Sequence, residues 1–217
     1  MILMHDNDII KFILDRVDVL GGFHIESVRQ VLGAVEFIVK NQIKGELVEV
    51  GVFRGIMVLC MLLKLEQMGD TSRKIHLYDT FSGMTEASDV DVDPGGTSGS
   101  AELKSNPTMC LAPLDVVKNN IVLADYPSEN IYYHMGDVRL VDPDTIPSEI
   151  AFLRLDTDFY DSTKYELEHF EPRVVDKGVV CIDDYGWWQG ATKAVDEFDY
   201  KYKMTKMKPH GIWWVKD

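Results

Sequence analysis

Apolar residues recur at helical spacing over residues 8–19 and 26–42; in the second stretch Val28, Val31, Leu32, Val35, Phe37 and Ile38 carry the pattern. It predicts two amphipathic helices, an N-terminal arm ahead of the main fold. The period then shortens. Leu47-Val48-Glu49-Val50-Gly51-Val52 reads as a valine-rich strand, and residues 55–63 are apolar on almost every side, as a buried helix is. A strand, a glycine turn and a buried helix open an α/β fold.

Residues 75–78 predict a second strand, closed by Asp79. Over 82–113 the periodicity is lost, and Asp89, Asp91, Asp93, Pro94, Gly95, Gly96, Gly99, Pro107 and Pro113 crowd in. A stretch that long inside a compact domain reads as a functional, mobile lid. Helical spacing returns near 113–124, and strands follow at 131–134, 150–155 and 178–182. Between the last two, Thr163 and Glu166 stand in capping-box spacing and open a helix over about 163–172. A further helix covers about 190–199, and the chain closes on strand-like runs at 201–206 and 211–216. Strands alternating with helices predict a mostly parallel sheet covered on both faces, with ligands at the carboxyl ends of its strands.

At 217 residues with 46% hydrophobic and 27% charged content, the chain is one globular domain with an arm, divided as 1–44 and 45–217. Acidic residues outnumber basic ones by 36 to 22, a net charge of −14, which excludes a non-specific nucleic-acid binder. Cys60, Cys110 and Cys181 are too few and too scattered for a disulfide or metal framework, so a reducing, cytoplasmic setting is expected. Cys60 and Cys181 lie in apolar runs and read as core. The N-terminus carries acids where a signal peptide needs bases, and no run of about 18 apolar residues spans a membrane. A soluble protein with no membrane partner is expected.

The strand ends hold the chemistry. After the first strand, Glu49-Val50-Gly51-Val52-Phe53-Arg54-Gly55 departs from the G-x-G-x-x-G dinucleotide fingerprint, since Val52-Phe53 replaces its second glycine. Asp79, about 30 residues on, suits ribose hydroxyls, so the pair points to an adenosine-bearing cofactor. Asp137 ends the third strand, where it can meet an adenine amino group or simply close a turn. Asp156 and Asp158 end the fourth strand, and Asp183 and Asp184 the fifth. Adjacent strands run about 4.8 Å apart, so these acids converge. Their repulsion is relieved by a raised pKa or a bound cation, and oxygen ligands suit Mg²⁺, Ca²⁺ or Mn²⁺. Asp89-x-Asp91-x-Asp93 starts like a calcium loop, but Pro94 and Ser100 occupy the glycine and glutamate positions. The six histidines form no H-E-x-x-H pair. Trp187 and Trp188 follow the fifth-strand acids and are candidate walls of a substrate pocket.

In order, Glu49-Val-Gly-Val-Phe-Arg-Gly55, Tyr78-Asp79-Thr80-Phe81-x-Gly83-Met84, Leu155-Asp156-x-Asp158-x-Tyr160-x-Ser162-Thr163 and Asp183-Asp184-Tyr185-Gly186 resemble the macrocin O-methyltransferase (TylF) family of class I S-adenosylmethionine-dependent enzymes. The likeness covers about residues 45–200. It implies a Rossmann-like, seven-stranded sheet whose last strand is antiparallel. It also implies that Glu49, Gly51, Arg54, Gly55, Asp79, Thr80, Asp137 and Val138 bind S-adenosylmethionine, and that Asp156, Asp183 and Asp184 bind Mg²⁺. The implied acceptor is a small-molecule hydroxyl, typically on a natural-product sugar. Ile56 and Thr85 stand where the family often has glycine and proline.

The expected chemistry is attack of an aligned acceptor oxygen on the sulfonium methyl, with Asp156 or Asp158 taking the proton. A glycosyltransferase using Asp156-Thr157-Asp158 on a nucleotide sugar, and a non-catalytic binding protein, are the rival readings. The sequence leaves homo-oligomer formation open.

Overall fold

A computed structural model describes residues 5–19, 24–198 and 202–217. Helices α1 (Asp6–Leu14) and α2 (Ile25–Lys40) come first. Then β1 (Glu46–Val50), α3 (Ile56–Met68) and β2 (Ile75–Asp79) alternate as the pattern requires. After α4 (Gly99–Ser105) and α5 (Leu114–Ile121) come β3 (Ile131–Met135), β4 (Ile150–Leu155), α6 (Tyr160–His169) and β5 (Val174–Ile182). Helix α7 (Gln189–Glu197) precedes the hairpin of β6 (Thr205–Lys206) and β7 (Ile212–Val215).

The seven strands lie in the order β3-β2-β1-β4-β5-β7-β6. The first five are parallel to one another, and β7 runs antiparallel to both β5 and β6. This is the Rossmann-like, seven-stranded sheet with an antiparallel last strand that the resemblance implies. Order reverses between β1 and β4, so their carboxyl ends open a crevice there.

Helix α3 explains its own burial: Ile56 through Leu65 are all buried, because it packs between the sheet and the N-terminal helices. Val28, Val31, Leu32, Val35 and Ile38 of α2 share that cluster with Ile9 and Ile13 of α1. A second cluster, on Val48, Val50, Leu153, Leu155, Val180, Ile182 and Trp214, fills the opposite face of the sheet. Cys60 and Cys181 are buried core thiols.

Some elements depart from the sequence reading. α1 stops at Leu14 rather than near residue 19. α6 starts at Tyr160, not Thr163, so the capping box there does not form. The Thr163 hydroxyl instead donates to the Phe159 carbonyl at 2.8 Å, while Glu166 turns inward and is fully buried. Strand β5 begins four residues earlier than its apolar stretch. Residues 199–201, where the last helix and the first strand-like run were expected to meet, lie outside the described residues.

The 82–113 stretch is held in place. Asp91 is fully buried; its Oδ1 accepts from the Tyr160 amide at 2.8 Å, and its Oδ2 from the Ser88 amide and hydroxyl, each at 2.7 Å. The aspartate of the rejected calcium motif is therefore a peg joining this segment to the start of α6.

Candidate active site

One cavity of about 420 Å³ opens at the strand ends on the switch point, and it gathers nearly every residue singled out from sequence. Its floor is the β1–α3 turn. Gly51 has a φ of 82°, and a Cβ there would stand 1.9 Å from the Asp156 carbonyl oxygen. Only glycine lets the ends of β1 and β4 approach this closely. Asp79 organises the same turn: its Oδ2 accepts from the Val52 and Phe53 amides at 2.7 and 2.9 Å, and its Oδ1 from the Phe81 amide at 2.7 Å. Thr80 and Arg54 also line the cavity. Arg54 reaches back to Asp18 at 3.0 Å and so ties the N-terminal segment to the turn.

Two expected donor-site residues stand apart. Gly55 caps α3 and faces Val117 and Ile121 of α5. Asp137 is engaged by the Arg139 guanidinium, which holds its carboxyl below the usual range, while Gly136 and Val138 on either side line the cavity.

Asp156, Asp158, Asp183 and Asp184 all line this cavity. Asp158 adopts a φ of 66°, which turns its amide toward Asp184 Oδ2 at 2.9 Å. Its own Oδ1 accepts from the Trp188 indole at 2.8 Å. Burial, with Asp156 next in effect, pushes the Asp158 carboxyl up to about 7. Asp184 is raised well above the carboxylate range by burial and by Asp158 and Asp156. Asp156 is raised by burial, with Arg154 opposing and Asp183 adding to the rise.

Sequence reasoning missed the residue beneath them. Arg154 interrupts the otherwise apolar β4 and is 1% exposed, as is Glu49, its register partner on β1. Arg154 Nη1 donates to Glu49 Oε1 and Asp156 Oδ2, both at 2.7 Å, and Nη2 lies 3.4 Å from Asp183 Oδ1. The signal was present: a charge inside a buried strand requires anionic partners. Burial still dominates at Glu49 and lifts its carboxyl to about 8, with Arg154 pulling it down.

Trp187, half exposed, lines the cavity, whereas Trp188 is buried behind Asp158 and does not. The far wall comes from the N-terminal region and the β6–β7 turn through His24, Pro209 and His210. His210 Nδ1 lies 2.7 Å from the Asp183 carbonyl, so that nitrogen carries the proton. The ring sits 5.5 Å from His24 and 5.6 Å from Trp187. Nothing in the sequence pattern marks His24 or His210.

Among the described residues, no three His, Cys, Asp or Glu side chains converge as a metal-binding group. Two of the carboxylate oxygens are already engaged. Arg154 engages Asp156 Oδ2, and the Asp158 amide engages Asp184 Oδ2. The donors nonetheless fit a hard divalent cation in kind. All are carboxylate oxygens crowded on one wall, and Asp183 Oδ1 is buried without a hydrogen-bond partner. The donor-side cradle likewise fits a cationic ligand, since buried Glu49 Oε2 has no hydrogen-bond partner.

Among the described residues, no helix is long and apolar enough to cross a membrane. Residues 22–216 match the Macrocin-O-methyltransferase (TylF) family. The chain is 29% identical over 184 residues to the 8-demethyl-8-(2,3-dimethoxy-alpha-L-rhamnosyl)-tetracenomycin-C 4'-O-methyltransferase of Streptomyces olivaceus, covering 83% of this chain and 69% of that protein. It is 27% identical over 208 residues to the demethyldecarbamoylnovobiocin O-methyltransferase of Streptomyces niveus, covering 91% and 74%. Among solved structures, the O-methyltransferase NovP superposes with a TM-score of 0.77 at 27% identity, over 88% of this chain and 80% of that one. The calicheamicin methyltransferase CalS11 shares the fold, with a TM-score of 0.71 at 18% identity over 97% and 90%. Each of these relatives is named a methyltransferase, and none a glycosyltransferase.

Proposed function

Because the chain belongs to the macrocin-O-methyltransferase (TylF) family and is an O-methyltransferase, we propose that it moves a methyl group from S-adenosylmethionine to a hydroxyl of a sugar or other vicinal diol on a natural product. The observation that carries this reading is the shared cavity: the donor-type turn and the four acids face one space.

On this reading Glu49, Gly51, Arg54, Asp79, Thr80 and Val138 hold the donor, with Gly55 and Asp137 shaping the turns beside it. Glu49 Oε2 accepts from the donor's ammonium group, and Asp79 uses its remaining lone pairs for ribose hydroxyls. Asp156, Asp183 and Asp184 would hold Mg²⁺ through the oxygens that Arg154 and the Asp158 amide leave unengaged. When bound there, the ion supplies positive charge that acidifies a neighbouring hydroxyl. Trp187, His24 and His210 frame the acceptor, which leaves the 82–113 segment and the N-terminal helices to exclude water.

The acceptor oxygen forms a bond to the methyl carbon as the carbon–sulfur bond breaks, and the hydroxyl proton passes to Asp158. A carboxyl poised near pH 7 is suited to accept it. Transfer is measured as S-adenosylhomocysteine formed with a rhamnoside or catechol acceptor. EDTA is expected to abolish it and Mg²⁺ to restore it; full activity in EDTA ends the metal assignment while leaving the methyl transfer standing. Asp79→Ala is expected to weaken S-adenosylhomocysteine binding by roughly tenfold or more, since it removes both the ribose acceptor and the clamp on the turn. Unchanged affinity by calorimetry would undo that role.

A further inference from the structure

We propose that Arg154 is a positioning residue that sets the donor side and the acid cluster against each other through one guanidinium. The inference rests on the methyltransferase reading above and adds a function for a side chain buried beneath the acids. A single nitrogen, Nη1, holds Glu49 Oε1 and Asp156 Oδ2 at the same 2.7 Å distance. The second nitrogen faces Asp183. These carboxylates come from β1, from the turn after β4 and from the turn after β5, so three separate chain segments are registered on one planar group.

The arrangement is costly as a purely structural device. Three carboxylates surround one cation, the guanidinium Nε has no hydrogen-bond partner, and Glu49 Oε2 and Asp183 Oδ1 have none either. Well-packed apolar residues in the same volume are often as stable or more so than a buried ion pair. What the fork supplies instead is direction: planar, delocalised and always charged, it fixes where Glu49 and Asp156 point. Methyl transfer needs in-line alignment of donor carbon and acceptor oxygen, and small displacements lower the rate steeply. Lysine keeps the charge but has neither the fixed plane nor the second nitrogen that faces Asp183, so the three carboxylates lose their common register.

The test compares the wild type with Arg154→Lys, Glu49→Gln, Arg154→Met and the double variant Arg154→Met/Glu49→Gln. The double variant removes the Glu49 charge along with the cation and is expected to melt above Arg154→Met, which leaves Glu49 buried without its partner. Arg154→Lys is expected to lower kcat about 10- to 100-fold, the range typical of residues that orient a site's direct ligands, while the acceptor KM changes little. In calorimetry, Glu49→Gln and the double variant are expected to bind S-adenosylhomocysteine equally weakly, because Arg154 acts on that ligand only through Glu49. Wild-type kcat in Arg154→Lys, or additive losses of binding in the double variant, would overturn the inference. A wild type that neither binds S-adenosylhomocysteine nor transfers methyl sinks the methyltransferase reading and this one with it. A fully active wild type with an indifferent Arg154→Lys removes only the positioning role.

Discussion

Asp158 combines two unusual properties at one position: a left-handed backbone at φ 66° and a carboxyl lifted to about 7. Phe53 and Phe81, at φ 46° and 51°, show the same backbone at the ends of β1 and β2. Non-glycine residues held there cost about 1–3 kcal/mol each and gather at sites where geometry matters more than stability. If Asp158 is the base, only its ionised form works, so turnover falls as pH drops through the range in which that carboxyl takes up its proton. Asp158→Asn is expected to lower kcat by about 100-fold or more and to flatten that acidic limb, as a pH–rate profile would reveal. A variant with wild-type kcat and an unchanged limb would move the proton to another acceptor.

Between elements, the clearest joint is Lys64 of α3, whose ammonium lies 2.8 Å from Asp6 of α1 and 2.8 Å from Glu36 of α2. Hydrogen bonds from Lys40 and Lys64 hold the Glu36 carboxyl down at about 2, against an ordinary value of 4.5. A depressed carboxyl contributes stability that is complete above the unfolded value and disappears as pH falls through the folded one. Thermal unfolding followed from pH 5 down to pH 2 is expected to show that loss, and Glu36→Gln to remove that part of it. At pH 7 the substitution is expected to cost about 1 kcal/mol or less, given how open the site is to water. Element boundaries were read less well than element types. The apolar period identified α3 and the strands β1, β2 and β4, because burial on both faces leaves little else possible there. It misplaced the start of α6, since Thr163 and Glu166 imitate a cap while serving the helix interior. The loop over 82–113 has no period because polar pegs such as Asp91, rather than an apolar stripe, hold it.

Taken as one molecule, the N-terminal helices are not an appendage. Ile9, Ile13, Val28, Val31, Leu32, Val35 and Ile38 are at most 1% exposed and share one cluster with α3 and the sheet. At roughly 1.5–3 kcal/mol for each buried side chain, these seven contribute on the order of 10–20 kcal/mol, comparable with the whole stability of a domain. A chain lacking residues 1–44 is therefore expected to aggregate instead of folding as a free-standing enzyme. The full chain should unfold in a single calorimetric transition; two resolved transitions would contradict this. Sequence alone conveyed the sheet and which strand ends line the cavity, both of which depend on short local motifs. It did not convey Arg154's partners or the histidine wall, because those contacts join residues as far apart as Glu49 and Arg154, or His24 and His210.

The antiparallel return of β7 has a consequence for how such an enzyme diversifies. It carries Pro209 and His210 back to the cavity wall on a short hairpin beside β5, where His210 Nδ1 donates to the Asp183 carbonyl. Replacements at Pro209 change the shape of that wall alone, whereas replacements at His210 also release the Asp183 carbonyl. One face of the cavity can thus be redrawn by a single codon while the strand beneath it stays as it is.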